Sequence, residues 1–305
     1  MRMTLRTLVA AIALAALGVA SAPRAAAQDD QFLMPEQSAA KAKQLLDQAI
    51  EALGGSTYLN VHDVTCTGRI GQFDHAGELT GFGTFIDYAQ PPFKERQENL
   101  PKRNIIEVYN SDKGWDLDRG GVSEAPRADL ADFQETVKKD LDNILRHRMH
   151  EPDMTLRYSG EDIVDLKQVD WVELIDGENR TIRIAIAQAT HLPIRKTVDT
   201  RNPRTQMKSQ EVEYYSNYHP IDGVQTAFQL TRERNGIKIF QAFFDKCEYN
   251  TNLSDALFTK ESLEQRWAQV GKKEMAKEAK DKEKDKDKDK DKDQDKDSSS
   301  PDDQK

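Results

Sequence analysis

Over much of the chain, apolar and polar residues alternate one by one. In RTIRIAIA, Ile182, Ile184 and Ile186 fall on one side of an extended segment, with Thr181, Arg183 and Ala185 on the other. In EVEYY, Val212 and Tyr214 oppose Glu211, Glu213 and Tyr215. A period of two is the strand period, because successive Cβ atoms point to opposite faces of a sheet. Turn chemistry separates such segments at Pro91-Pro92, Asp112-Lys113-Gly114, Asp176-Gly177, Asn202-Pro203, Asp222-Gly223 and Asn235-Gly236. Short turns between strands favour sequential antiparallel pairing.

Two segments carry the helical period instead. Ser38–Gly55 spaces Ala42, Leu45, Leu46, Ile50 and Leu53 along one stripe and stops at Gly54-Gly55. Ala128–Met149 lines up Leu130, Phe133, Val137, Leu141, Ile144, Leu145 and Met149. Its early Asp129 and Asp132 and late Arg146, His147 and Arg148 match the helix dipole, and Pro152 closes it. With one internal helix only, parallel βαβ units are not available. The pattern predicts an α+β fold dominated by a large antiparallel meander.

Asn235-Gly236 is the strongest hairpin signal, since a two-residue type I′ turn needs positive φ at both central positions. It predicts Arg234 opposite Ile237, Glu233 opposite Lys238 and Phe228 opposite Phe243. In that register one face collects Val224, Phe228, Leu230, Ile237, Ile239, Phe243 and Cys247; Phe240, Ala242 and Phe244 lie on the other. Alternation alone does not distinguish a filled core from the wall of a cavity.

The ends differ from this body. Arg2 and Arg6 precede the apolar run Thr7–Ala20 and then Ala25-Ala26-Ala27, the pattern of an export signal cleaved after Ala27. No cysteine adjoins that cut, so an amino-terminal lipid is not expected. Lys280–Asp297 alternates Lys with acidic residues and holds nothing apolar to bury, which predicts a disordered tail over 271–305. Residues 28–270 are thus expected to form one domain, with 29 basic and 40 acidic residues and a net charge near -11. Such a body lacks the basic footprint that nucleic acid requires. Cys66 and Cys247 are its only cysteines, either a disulfide or two small core residues.

Catalytic signatures are missing: no G-x-S-x-G, Walker loop, H-E-x-x-H or C-x-x-C occurs. His147 and His150 have i, i+3 spacing but no third ligand nearby, so they read as cations at a helix end rather than a metal site. His62, His75, His191 and His219 are scattered, His62 and Asp63 being neighbours at a strand entry. No carboxylate stands out from the acidic surface. Gly81-Phe82-Gly83 reads as a bend within a strand. A non-enzymatic binder without a cofactor, acting as a monomer, is expected.

The helix ending in Gly-Gly, PPFKERQEN (Pro91–Asn99), IIEVYNSDKGWDLD (Ile105–Asp118), THLPIRKTV (Thr190–Val198) and YNTNLSDALF (Tyr249–Phe258) together resemble the LolA/LolB superfamily. That superfamily comprises periplasmic lipoprotein carriers, outer-membrane receptors and relatives that bind lipids or sense lipoproteins. The resemblance spans Ala39 to Trp267. It implies an unclosed antiparallel β-barrel with helices covering its concave side and an apolar cavity for acyl chains. Arg96, in the Pro-x-x-F-x-x-R segment with Phe93, takes the place of the family's lid-controlling arginine, although Gln97 stands where the family carries Trp. The implied activity is that of a periplasmic carrier for acylated lipoproteins or lipids, served by an inner-membrane export complex and an outer-membrane receptor. A lipoprotein-sensing module of the same fold is the alternative. Phe228, Leu230, Ile237, Ile239 and Phe243, with Ile182, Ile184 and Ile186, are the expected acyl contacts.

Overall fold

The computed structural model describes residues 33–100, 105–201 and 207–270. The expected signal sequence, the charged tail and the Asn202-Pro203 turn lie outside the described residues. Thirteen strands form one sheet. The first six are β1 (Val64–Phe73), β2 (Leu79–Gln90), β3 (Lys94–Leu100), β4 (Ile106–Asn110), β5 (Lys113–Asp118) and β6 (Gly121–Glu124). The rest are β7 (Thr155–Val164), β8 (Lys167–Ile175), β9 (Thr181–Ala187), β10 (Pro193–Arg201), β11 (Lys208–Ile221), β12 (Val224–Arg234) and β13 (Ile237–Tyr249).

Their spatial order is β6-β5-β4-β3-β2-β1-β13-β12-β11-β10-β9-β8-β7. The chain therefore makes two meanders, joined where β1 pairs antiparallel with β13. The ends, β6 and β7, do not pair with each other, so the sheet is an unclosed barrel.

Four helices lie on one side: α1 (Pro35–Leu53), α2 (Ser56–Leu59), α3 (Arg127–Lys139) and α4 (Leu141–Arg146). The predicted second helix is broken at Asp140, whose carboxylate leaves the helical ladder to cap α4 by accepting from Asn143 N at 2.8 Å. This is the usual role of Asp at a helix start. Gly54 ends α1 with φ 132°, and a Cβ there would lie 2.3 Å from Gly223 O. The Gly-Gly stop thus lets the end of α1 press against the β11–β12 turn.

The main core lies between α1, α4 and β7–β12. Leu46, Ile144, Leu145, Leu174, Ile182, Ile184 and Ile186 are buried together there, each with 0–1% exposure. A second core lies on the opposite face of the sheet. Ile106, Val108 and Leu117 from β4 and β5 pack against Phe258 and Leu263 of the carboxyl-terminal segment, where residues 260–270 form a further helix. Buried Asp63 helps bring that segment round, its carboxylate accepting from Thr251 N at 2.7 Å and Leu253 N at 3.1 Å.

The Asn235-Gly236 hairpin keeps its predicted register for two pairs, Arg234 with Ile237 and Glu233 with Lys238. A bulge then inserts Ile239, so Phe243 faces Gln229 rather than Phe228. A second irregularity opposite Thr67/Gly68 inserts Asp245. There Gly68 is needed because a Cβ would meet Phe243 O at 2.3 Å. Each extra residue exchanges the two faces of the strand beyond it. Phe244 consequently shares a face with Cys247, while Phe243 turns outward beside Phe82 and Arg69.

Cys66 and Cys247 form a disulfide across β1 and β13, joining the two meanders. It links residues 181 positions apart, so breaking it frees a long loop in the unfolded chain. Replacing both cysteines by Ala is expected to cost about 2–5 kcal/mol, measured as a lower denaturant midpoint. Equal midpoints for the two proteins would contradict this.

Candidate ligand-binding hollow

Strand pairing defines what the concave side presents beyond the main core. Phe85, Asp87 and Ala89 of β2 face Gly68, Cys66 and Val64 of β1, which in turn face Phe244, Cys247 and Tyr249 of β13. On the other side of β2 the same face continues through Glu95, Gln97 and Asn99 to Tyr109 and Glu107, then to Gly114 and Asp116. From β13 it continues through Phe240 and Ala242 to Arg232 and Leu230 of β12.

This part of the sheet is covered lightly. Phe133 of α3 stacks on Tyr109 at 4.6 Å, and only Phe133 and Val137 of that helix are buried. The far end of α3 is held by ion pairs, Lys138 to Glu178 at 2.8 Å and Glu135 to Arg180 at 3.0 Å. A cleft of about 990 Å³ opens along the helix, with Phe93, Phe133, Val137, His147 and Arg148 in its walls.

Beyond that cleft, the concave face itself has an apolar and a polar part. Phe85 and Phe244 meet edge to face at 5.9 Å beside the disulfide, with Leu230 and Phe240 half-buried nearby on β12 and β13. The polar part is rich in carboxylates. Burial raises Asp87 well above the usual carboxylate range, and the charge of Glu95 adds to the effect. Burial, then Asp140 and Glu107, pushes Glu95 up to about 7 against the pull of Arg232. Asp140 is raised to about 6 by desolvation and by Asp142. Glu107 and Asp116 are raised for the same two reasons, desolvation and neighbouring negative charge. Yet Asp140 and Glu107 are exposed, and Asp87, Glu95 and Asp116 only half-buried. Even so, Asp87 Oδ1 and Asp116 Oδ1 are buried without a hydrogen-bond partner.

Glu213 behaves oppositely. Burial would raise it, but Lys196 at 2.6 Å and Arg232 at 2.7 Å overcome burial and hold it at about 2.

The expected acyl contacts are dispersed. Ile182, Ile184 and Ile186 are fully covered by helices. Phe228 and Leu230 are half-buried on β12. Ile237 and Ile239, at the hairpin tip, are 42% and 37% exposed, and Phe243 is on the outer face. Arg96 is buried on that outer face. Its Nε donates to Glu98 at 2.8 Å, and its Nη1 donates to Leu257 O at 2.9 Å and Ser262 Oγ at 2.8 Å. It therefore fastens the carboxyl-terminal segment rather than a helix over the concave side. His147 and His150 are exposed, and no group of three or more potential metal ligands occurs among the described residues. The carboxylate wall and the Asp63 anchor escaped the sequence reading. Strand period placed carboxylates on faces, but only the register shows which face is concave.

No family model matches the chain, and no curated protein matches it. Solved structures do. A DUF1329 family protein from Desulfovibrio piger is 16% identical, with 73% of this chain and 98% of that chain covered and a TM-score of 0.53. A putative outer membrane lipoprotein-sorting protein domain from Vibrio parahaemolyticus is 11% identical over 73% and 99% of the two chains, with a TM-score of 0.50. A LolA superfamily protein from Nitrosomonas europaea is 13% identical over 73% and 99%, with a TM-score of 0.47. The chain shares the fold of the first two structures, and at these identities the likeness is one of fold alone.

Two outcomes follow. A carboxyl group raised on folding stabilises the fold below its unfolded pKa, and that contribution is lost as pH rises through the folded value. For Glu95 the loss runs from about 4.5 to about 7. Thermal stability should therefore fall between about pH 5 and pH 8, and Glu95→Gln should flatten the fall and raise the melting temperature at the alkaline end. A slope unchanged by that substitution would contradict the assignment. Separately, Arg96→Met removes the guanidinium beside buried Glu98, expected to cost about 3 kcal/mol or more. Limited proteolysis should then cut faster within 251–270, and unchanged cleavage would rule out the clamp.

Proposed function

We propose that the protein is an exported, periplasmic carrier that shelters the acyl chain of a lipid or lipoprotein in the open part of its concave face. The observation that carries this reading is the unequal covering of one sheet. Helices α1 and α4 fill the side at β7–β12, whereas the side at β1–β5, next to Phe85, Phe240, Phe244 and Leu230, meets α3 through Phe133 on Tyr109. An acyl chain leaving a membrane gives up roughly 0.8 kcal/mol per CH₂ if it remains in water. A shielded aromatic wall recovers that energy without any chemistry. The LolA-like fold agrees with such a role, and a Cys66–Cys247 disulfide suits an oxidising compartment. Exchange with an inner-membrane export complex and an outer-membrane receptor extends the same reading. No described helix is long and apolar enough to cross a membrane.

The contacts proposed for the resting protein are therefore Phe85, Leu230, Phe240 and Phe244. Ile182, Ile184 and Ile186 join them only if α1 or α4 lifts away, which would open the main core. Protein purified without detergent and extracted into organic solvent should yield an acyl lipid in near-stoichiometric amount, identified by mass spectrometry. Lipid-free protein that also fails to bind any acyl probe would refute the carrier reading.

A further inference from the structure

The cleft of about 990 Å³ beside α3 is separate from the acyl contacts proposed above, because Phe85, Leu230, Phe240 and Phe244 do not line it. Two groups of turns and one helix build it. The β2–β3 turn contributes Phe93, and the β4–β5 turn contributes Ser111 and Asp112. Gly177 and Glu178 come from the β8–β9 turn, joined by Arg148, Glu151 and Asp153 from the segment after α4. Helix α3 supplies Phe133 and Val137 and is fastened to both groups. Gln134 Nε2 donates to Ser111 O at 3.3 Å, and Lys138 Nζ donates to Glu178 Oε1 at 2.8 Å. The first two turns are tied to each other as well, Ser111 N donating to Phe93 O at 2.8 Å. These bonds hold the cleft in shape without filling it.

Its lining joins an apolar surface to unspent negative charge. Phe93 is 53% exposed, an unusual state for so large an apolar ring. Five carboxylates, those of Asp112, Glu135, Glu151, Asp153 and Glu178, face two cations, Lys138 and Arg148. Both cations are engaged: Lys138 pairs with Glu135 at 3.0 Å and Glu178 at 2.8 Å, and Arg148 with Glu151 at 3.1 Å and Asp176 at 3.2 Å. Asp112 and Asp153 are exposed and form no ion pair among the described residues. They belong to different groups of turns. Gly177 sets the place of Asp153, since a Cβ at 177 would come within 1.8 Å of Asp153 Oδ2. The carboxylate therefore lies against the bare backbone of the β8–β9 turn.

We propose that this cleft binds an amphipathic diamine: an apolar body against Phe93, Phe133 and Val137, with ammonium or guanidinium groups facing Asp112 and Asp153. A space of this size takes one drug-sized molecule. Because Lys138 and Arg148 are already neutralised, an anionic ligand finds surplus negative charge and no free cation. The cleft serves in this way whether or not an acyl chain occupies the concave face.

The test is calorimetric titration of the full chain with the α,ω-diamine of decane and with the matching monoamine, diol and dicarboxylate. The diamine is expected to bind at least about tenfold tighter than the diol or the dicarboxylate, with the monoamine between. Asp112→Asn and Asp153→Asn should each weaken the diamine about two- to fivefold, as expected for exposed ion pairs, and leave the diol unchanged. Gly177→Ala, which displaces the Asp153 carboxylate, should act like Asp153→Asn; the latter alters only an exposed side chain and keeps the test open if Gly177→Ala fails to fold. Phe93→Ala should weaken diamine and diol alike, by about tenfold. A fluorescent acyl probe should stay bound when the diamine is added. Equal affinity for diamine, diol and dicarboxylate, indifference of the diamine to all four substitutions, displacement of the acyl probe by the diamine, or no binding of the diamine overturns the inference. Tighter binding of a peptide rich in Lys and Phe, sensitive to the same substitutions, would overturn the small-molecule assignment in favour of a polypeptide.

Discussion

A single sheet that bends round without joining its edges has a concave face that must be kept from water by something other than itself. Every other feature of this protein answers that constraint. Over β7–β12 the answer is internal: α1 and α4 deliver Leu46, Ile144 and Leu145 onto Ile182, Ile184 and Ile186, leaving none of them more than 1% exposed. Over β1–β5 the cover is thinner, one stacked pair between Phe133 and Tyr109 and a few partly exposed ion pairs. Pairs of that kind contribute little, typically below about 1 kcal/mol each. The two halves of the concave face are thus unequally covered.

The same division organises the electrostatics. Where charge is buried near the core it is compensated, as at Glu213 between Lys196 and Arg232. Over β2–β5 and the start of α4 it is less so: desolvation first, and neighbouring negative charge second, raise Asp87, Glu95, Asp140, Glu107 and Asp116. Natural sequences accept such local cost mainly at sites with a use for it. On the reverse of the sheet, the Arg96 clamp and the Asp63 anchor fix the carboxyl-terminal segment, so the concave side bears the uncompensated charge and the outer side is tied down.

Much of this was legible in the sequence, and what was not had a definite cause. The Gly54-Gly55 stop, the stripe of α1, the β9 alternation and the Asn235-Gly236 turn are local features, and local physics dictates them. The hairpin faces are not local. Two inserted residues, Ile239 and Asp245, exchange inside for outside, so Phe243 moves outward and Phe244 comes to lie beside Phe85. Asp140 reads as one more helical residue until its side chain is seen capping α4. Arg96 stands out in the sequence through family likeness, yet its partners, Leu257 and Ser262, lie more than 150 positions away and carry no mark there. The carboxylates of the hollow come from β2, β3, β4, β5 and the start of α4, and only strand register brings them together.

The central claim is that a guest occupies the lightly covered half of the concave face and not the packed half. Photocrosslinking with a diazirine-bearing acyl glyceride, followed by peptide mapping, tests it most directly. Label should appear on peptides containing Phe85, Phe240 or Phe244 and be absent from the peptide containing Ile182, Ile184 and Ile186. Label confined to the Ile182–Ile186 peptide, or to the outer face around Phe82 and Phe243, would contradict it.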